Sequence, residues 1–179
     1  MPLALWALTI SAFAVGTTEF VIVGLLPTIA ADLGVSIPSA GLLVSLYALG
    51  VTIGAPVLTA MADRVPRKTL LLLLLALFTL GNAYAAFAPD YGSLVAARFI
   101  TGLAHGVFFA IASTIATDLV EPEKESSAIA LVFLGLTVAL VTGVPLGTFI
   151  GQNFGWQSTF LGVVALGVIG FIASAILVP

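Results

Sequence analysis

The chain has 179 residues, 61% of them hydrophobic and only 7% charged, with a formal net charge of −3. Soluble domains carry about 25% charged residues, so a water-facing globule is excluded, and with no basic stripe there is no nucleic-acid surface. Cysteine is absent, which removes disulfides, thiolate metal sites and a cysteine nucleophile.

Six apolar runs of membrane-crossing length follow one another. They are Leu3 to Ala30, Ser39 to Ala62, Thr69 to Ala88, Ser93 to Thr117, Ser126 to Gly151 and Ser158 to Val178, each near the ~20 residues that cross about 30 Å of hydrocarbon. No basic n-region precedes the first run, and that run is too long for a signal-peptide core, so it reads as a retained span. The breaks at Asp32 to Pro38, Pro89 to Gly92 and Gln152 to Gln157 fall on one side. Those at Asp63 to Lys68 and Asp118 to Glu125 fall on the other. Arg64, Arg67, Lys68 and Lys124 all lie on the second side, and the positive-inside rule therefore places both termini in the cytoplasm.

Three ionisable residues interrupt the spans. In the first, Glu19 lies roughly 24 Å along the helix from Leu3, past the midplane. In the fourth, Arg98 lies roughly 8 Å and His105 roughly 18 Å inward from Ser93. Their seven-residue spacing puts Arg98 and His105 on one helix face. A charge at the bilayer centre costs about 2.5–3.5 kcal/mol on insertion scales, so the three mark a polar pathway. The alternative is that Arg98 snorkels to the interface, Glu19 is neutral and bonded to Thr17 or Thr18, and His105 merely packs. The third span carries no ionisable group, and Leu70 to Leu75 suit a helix that mostly faces lipid.

Small residues predict the packing. Gly135, Ala139, Gly143, Gly147 and Gly151 recur every four residues in the fifth span and form one smooth face; Gly102 with Gly106, Gly41 with Ser45 and Gly50 with Gly54 do so in the fourth and second. The smooth face of the fifth span is expected to let two bundles slide or rock. Gly54-Ala55-Pro56-Val57-Leu58-Thr59 and Gly143-Val144-Pro145-Leu146-Gly147-Thr148 share Gly, Pro and Thr in register, which suggests two three-helix repeats, about 1–88 and 93–179. Such inverted repeats are common in transporters, and Pro56 and Pro145 permit bending.

These residues resemble a family. Asp63-Arg64 with Arg67-Lys68 is similar to the loop signature between helices two and three of the major facilitator superfamily, with Thr59 and Pro66 in place of its two glycines. Arg98 with Gly102 and Gly106 resembles that superfamily's helix-four motif, and Gly143-Val144-Pro145-Leu146-Gly147 resembles its helix-five antiporter motif. Thr18-Glu19-Phe20-Val21 through Gly24-Leu25-Leu26-Pro27, and Gly155-Trp156 with Phe160, look like the drug:proton antiporter branch, which includes arabinose-efflux-permease-like and sugar or purine-ribonucleoside exporters. The resemblance covers essentially the whole chain and matches an N-terminal half.

The implied fold is an all-α membrane protein of six transmembrane helices, arranged as two inverted repeats, in a bacterial inner membrane. The implied function is proton-coupled efflux of a small organic solute by alternating access. Glu19 is the expected proton-titrating site, His105 a second titrating or substrate-contacting group, and Arg98 their electrostatic bias. Asp63, Arg64, Arg67 and Lys68 form the expected inner gate, and Gly143, Pro145 and Gly147 the helix-five motif. The expected partners are the bilayer, solute, protons and a second six-helix half or identical subunit; a lone half leaves its cavity face and the glycine face of helix five without a mate. No cofactor is expected. A non-transporting six-span scaffold remains the alternative, whereas an enzyme or an ATP-driven pump is disfavoured because neither an HExxH motif nor a P-loop lysine is present.

Overall fold

A computed structural model describes residues 2–62 and 65–179. Its helices are α1 (Leu3–Leu33), α2 (Ile37–Ala62), α3 (Arg67–Ala86), α4 (Tyr91–Asp118), α5 (Glu125–Val138), α6 (Val144–Phe154) and α7 (Trp156–Leu177). A 3-10 turn at Pro122–Lys124 leads into α5, and a π turn at Ala139–Gly143 joins α5 to α6 into one continuous fifth span. The described residues thus hold six helical stretches long and apolar enough to cross a membrane.

The ends of these helices follow local chemistry. Gly34, at φ 64°, closes α1 in the left-handed conformation that glycine adopts freely, and its N–H bonds to the Ala30 carbonyl. Gly155, at φ 89°, is the single residue between α6 and α7, so the fifth and sixth spans turn back on each other tightly. Asp90 caps α4 by accepting from the Ser93 N–H at 2.7 Å and the Ser93 hydroxyl at 3.0 Å. Those bonds hold its carboxyl below the usual range.

Glycines set which spans touch. The glycine pairs of α2 and α4 meet each other: a Cβ on Gly102 would strike the Tyr47 carbonyl, and one on Gly54 would lie 2.7 Å from Leu103 Cα. Only hydrogen side chains allow this approach. The fifth span docks on α1 in the same manner. Gly135 meets the Thr9 carbonyl, Gly143 meets Thr17, and a Cβ on Gly147 would lie 2.8 Å from Val21.

The smooth face of the fifth span is therefore buried against α1 within this chain, contrary to the expectation that it lacks a mate or forms a sliding seam. Large exposed side chains of that span, among them Leu134, Val138, Val141, Leu146 and Phe149, lie elsewhere on it. A strict four-residue repeat drifts about 40° per step around an α-helix of 3.6 residues per turn. The wider π turn absorbs part of that drift, which keeps Gly135 and Gly151 on the α1 side. One residue, Val144, separates it from Pro145, which has no N–H to offer the preceding turn, and the Val144 N–H bonds five residues back to Ala139.

The leucine run of α3 also departs from expectation. Leu70, Leu71, Leu74 and Leu75 are buried in a core with Leu5, Leu8, Val107 and Phe108, because α3 packs on both α4 and α7 rather than lying against lipid alone. A second core collects Ile22, Leu25, Leu43, Leu94, Trp156 and Phe160. Between the two cores, α1, α2, α3 and α4 each change from apolar to polar side chains at Thr18, Tyr47, Asn82 and Arg98.

Gly102→Ala should lower stability by about 1–3 kcal/mol through overpacking, whereas Gly162→Ala, with open space around its Cβ, should be neutral or slightly stabilising; thermal unfolding in detergent checks the contrast. The cap at Asp90 stabilises fully above the ordinary carboxylate pKa and is lost as pH falls through its lowered value. Asp90→Asn, an acceptor that does not titrate, should blunt that acid loss in the same assay.

Candidate functional site

The polar layer is built around Arg98. The side chain is buried, 1% exposed, so it does not snorkel. Its Nη1 donates to the Thr18 carbonyl at 2.9 Å, and its Nη2 and Nε reach the Glu19 and Leu43 carbonyls at 3.5 and 3.4 Å. The guanidinium carbon lies 4.0 Å from the centre of the Tyr47 ring, a cation over an aromatic face. Carbonyls of α1 and α2 and one ring thus share the charge. Among the described residues no carboxylate hydrogen-bonds it.

Tyr47 joins Arg98 to His105. One seven-residue step along α4 sets both side chains towards α2, and the Tyr47 hydroxyl lies 2.9 Å from His105 Nδ1. The other ring nitrogen, Nε2, lies 3.7 Å from Glu19 Oε2. That gap is beyond a hydrogen bond but within reach of a charge interaction or one bridging water. The Glu19 side chain is 28% exposed, and among the described residues its carboxylate accepts no hydrogen bond. Thr17 and Thr18 do not satisfy it: their hydroxyls donate to the Phe13 carbonyl at 2.8 Å and to Asn82 Oδ1 at 2.6 Å.

Glu19, Arg98 and His105, named from depth alone, therefore share one cluster. Tyr47, Thr18 and Asn82 complete it; Tyr47 and Asn82 were not anticipated, and Thr18 was expected only as a partner for Glu19. Asn82 carried a readable signal, since an amide within a leucine-rich span needs an interhelical partner. Tyr47 carried less, because tyrosines are also common at membrane interfaces. From His105 an aromatic row continues through Phe109, at 5.2 Å between ring centres, to Phe133 on α5 at 5.0 Å.

The remaining expected residues lie apart from this cluster. Arg67 at the start of α3 is ion-paired with Asp118 at the end of α4, tying together two loops that the sequence places on one side. Lys68 follows it on α3, while Asp63 and Arg64 lie outside the described residues. At the opposite end Asp32 accepts from Trp156 Nε1 at 2.8 Å, and the Tyr91 hydroxyl donates to the Ser39 carbonyl at 2.5 Å. Gly143 and Gly147 face α1, Gly143 against Thr17 two residues before Glu19, and Pro145 is exposed. Among the described residues no cluster of histidine and acidic side chains is arranged to hold a metal ion.

The family model described as Major Facilitator Superfamily matches residues 8–179. The chain belongs to the major facilitator superfamily. It is 58% identical over 176 residues to the MFS-type transporter YtbD of Bacillus subtilis, covering 98% of this chain and 44% of that protein. It is 47% identical over 169 residues to the inner membrane transport protein YdhP of Escherichia coli K12, covering 94% and 43%. It is also 42% identical over 163 residues to a chloramphenicol resistance protein of Streptomyces lividans, covering 91% and 42%. The chain spans less than half the length of these curated relatives. Its fold is similar to that of the solved peptide transporter POT, with a TM-score of 0.86 at 16% identity over 98% of this chain and 38% of that one. This facilitator chain is thus a multi-pass membrane protein, and its matched relatives are named for transport or resistance rather than for catalysis.

Arg98→Lys should be costly, since lysine cannot present the planar fork or stack on Tyr47 in the same way. Loss of a charged hydrogen bond is worth about 1.5–3 kcal/mol. Lys124→Ala, which removes the exposed pair with Glu121, should change stability by less than about 1 kcal/mol. Melting curves of both variants in detergent check this.

Proposed function

We propose that the chain forms one six-helix half of a proton-coupled exporter of small organic solutes, working by alternating access in a bacterial inner membrane. The observation that carries the reading is the Glu19 carboxylate, partly exposed at membrane depth, 3.7 Å from His105 and, among the described residues, with no protein donor bonded to it. A carboxylate so placed takes its partner from a proton, water or solute. When ionised it balances the positive charge of Arg98 through space; when protonated it leaves that charge unbalanced. A proton and a solute then compete for the same small region, the linkage that antiport requires. His105, bonded to Tyr47 on one side, supplies a second proton-exchanging or solute-contacting nitrogen towards Glu19.

Two three-helix repeats, about 1–88 and 93–179, support this arrangement. Exchanging the first three spans for the last three converts the α2–α4 contact into that of the fifth span with α1, and the α3–α4 contact into α7–α1; all four are present. Arg67, Lys68 and the preceding Asp63 and Arg64 serve as the inner gate, and Gly143, Pro145 and Gly147 set the helix-five bend. The partner is a second six-helix half, on the same polypeptide or as another copy, which covers the face carrying Glu19.

The test uses membrane vesicles containing the whole transporter with an imposed pH gradient, and the solute most strongly expelled from a panel headed by chloramphenicol. Glu19→Gln and His105→Ala should lose the gradient-dependent component of efflux. Full gradient-driven efflux in both variants would overturn the assignment. For topology, this chain holds no cysteine, so an introduced cysteine is its single labelling site. In intact cells Ser36→Cys should react with a membrane-impermeant maleimide and Glu123→Cys only after permeabilisation, and the reverse pattern would overturn the cytoplasmic placement of both termini.

A further inference from the structure

We propose that Asn82, on α3, is a positioning residue for Arg98 and, through it, for the field at Glu19, acting through the hydroxyl of Thr18. This rests on the proton-coupling reading above. Asn82 is 1% exposed and touches neither charge through a hydrogen bond. Its Nδ2 donates to the Phe78 carbonyl at 2.8 Å, which fixes the amide's orientation, so Oδ1 is the atom presented to α1. That oxygen accepts the single proton of the Thr18 hydroxyl at 2.6 Å.

A hydroxyl has one hydrogen and two acceptor lone pairs. With the hydrogen committed to Asn82, only the lone pairs of Thr18 Oγ1 remain, and Arg98 Nη1 lies 3.5 Å from that oxygen and 2.9 Å from the Thr18 carbonyl. Both polar groups of Thr18 then present negative potential to the guanidinium. Removing the Asn82 acceptor frees the hydroxyl to rotate and donate elsewhere, as the hydroxyls of Thr9, Thr17 and Thr79 do to the carbonyl four residues back, which redirects the lone pairs that Arg98 meets. Arg98 also contacts the Glu19 carbonyl and the Tyr47 ring, and Tyr47 holds His105. A shift of the guanidinium therefore alters the field at Glu19 and the orientation of its neighbour.

The packing around this point holds few other charges. The ionisable groups facing Glu19 on α1 and Arg98 on α4 are Tyr47 from α2 and His105 from α4. Among the described residues, α3 and α7 present none at this level, and α3 contributes Asn82 alone. A purely structural amide would need only a partner for itself. The amide of Asn82 instead hands its bond to a residue whose two oxygens both face the buried cation.

The experiment compares the pH profile of gradient-driven efflux by the whole transporter for Asn82→Leu, Thr18→Val, the double variant and Glu19→Gln, each checked for folded yield in the membrane. Asn82→Leu and Thr18→Val should shift the pH midpoint in the same direction. The double variant should shift it no further than either single change, the non-additivity expected of residues acting in series. An unshifted midpoint in folded Asn82→Leu, or fully additive shifts, would overturn the proposal. If Asn82→Leu does not reach the membrane folded, the milder Thr18→Val decides, with an unshifted midpoint again overturning it. Glu19→Gln separates the two levels: if it keeps the native profile, the proton-coupling reading itself fails, whereas loss of the profile in Glu19→Gln with an unshifted Asn82→Leu defeats this inference alone.

Discussion

A guanidinium buried in a bundle that crosses hydrocarbon is the constraint on which the rest of this structure depends. An unpaired buried charge is very costly, yet among the described residues no carboxylate is bonded to Arg98. Backbone carbonyls from α1 and α2 and the face of Tyr47 carry it instead. Because those acceptors sit on two other helices, α1, α2 and α4 must hold their mutual depth and rotation for these contacts to persist. The cation thereby makes the three helices one unit, and leaves Glu19 free of the ion pair that would otherwise lock it.

Close backbone approach supplies that precision. Glycines on α2 and α4 let the Leu43 carbonyl and Tyr47 ring come within reach of Arg98, and those of the fifth span seat it on α1 beside Thr17. The π turn before Pro145 belongs to the same geometry, because without it a run of small residues spaced by four would wind off the α1 surface. Apolar cores on either side of the polar layer resist its tilting. At one end the Arg67–Asp118 tie adds connection between loops more than energy, since exposed pairs are worth little; at the other, Asp32 accepts the N–H of the buried Trp156.

Much of this was legible from residue types and spacing. Span number and limits followed from apolar runs, and the described helices differ from them by only a few residues at most ends. Glu19, Arg98 and His105 stood out because ionisable groups are expensive in lipid, and the seven-residue step predicted a shared face for the last two. Three things were hidden. The mate of the fifth-span glycines could not be read, because a smooth face says that something approaches but not what. The leucines of α3 gave no periodicity, so their burial against α4 and α7 was lost in a uniformly apolar run. Tyr47 and Asn82 are uncharged, and their part depends on which atoms of α1 and α4 arrive beside them.

In the proposed function Glu19 is the group that couples these features to transport, and its protonation can be examined without knowing the solute. Hydrophobic carbodiimides enter the bilayer and react with protonated carboxyl groups. Treatment of the protein in membranes, followed by peptide mass spectrometry, should show modification at Glu19 that accelerates as pH falls and that changes its pH dependence in His105→Ala. A Glu19 that stays unmodified across the whole pH range, while loop carboxylates such as Glu123 react, would contradict the account.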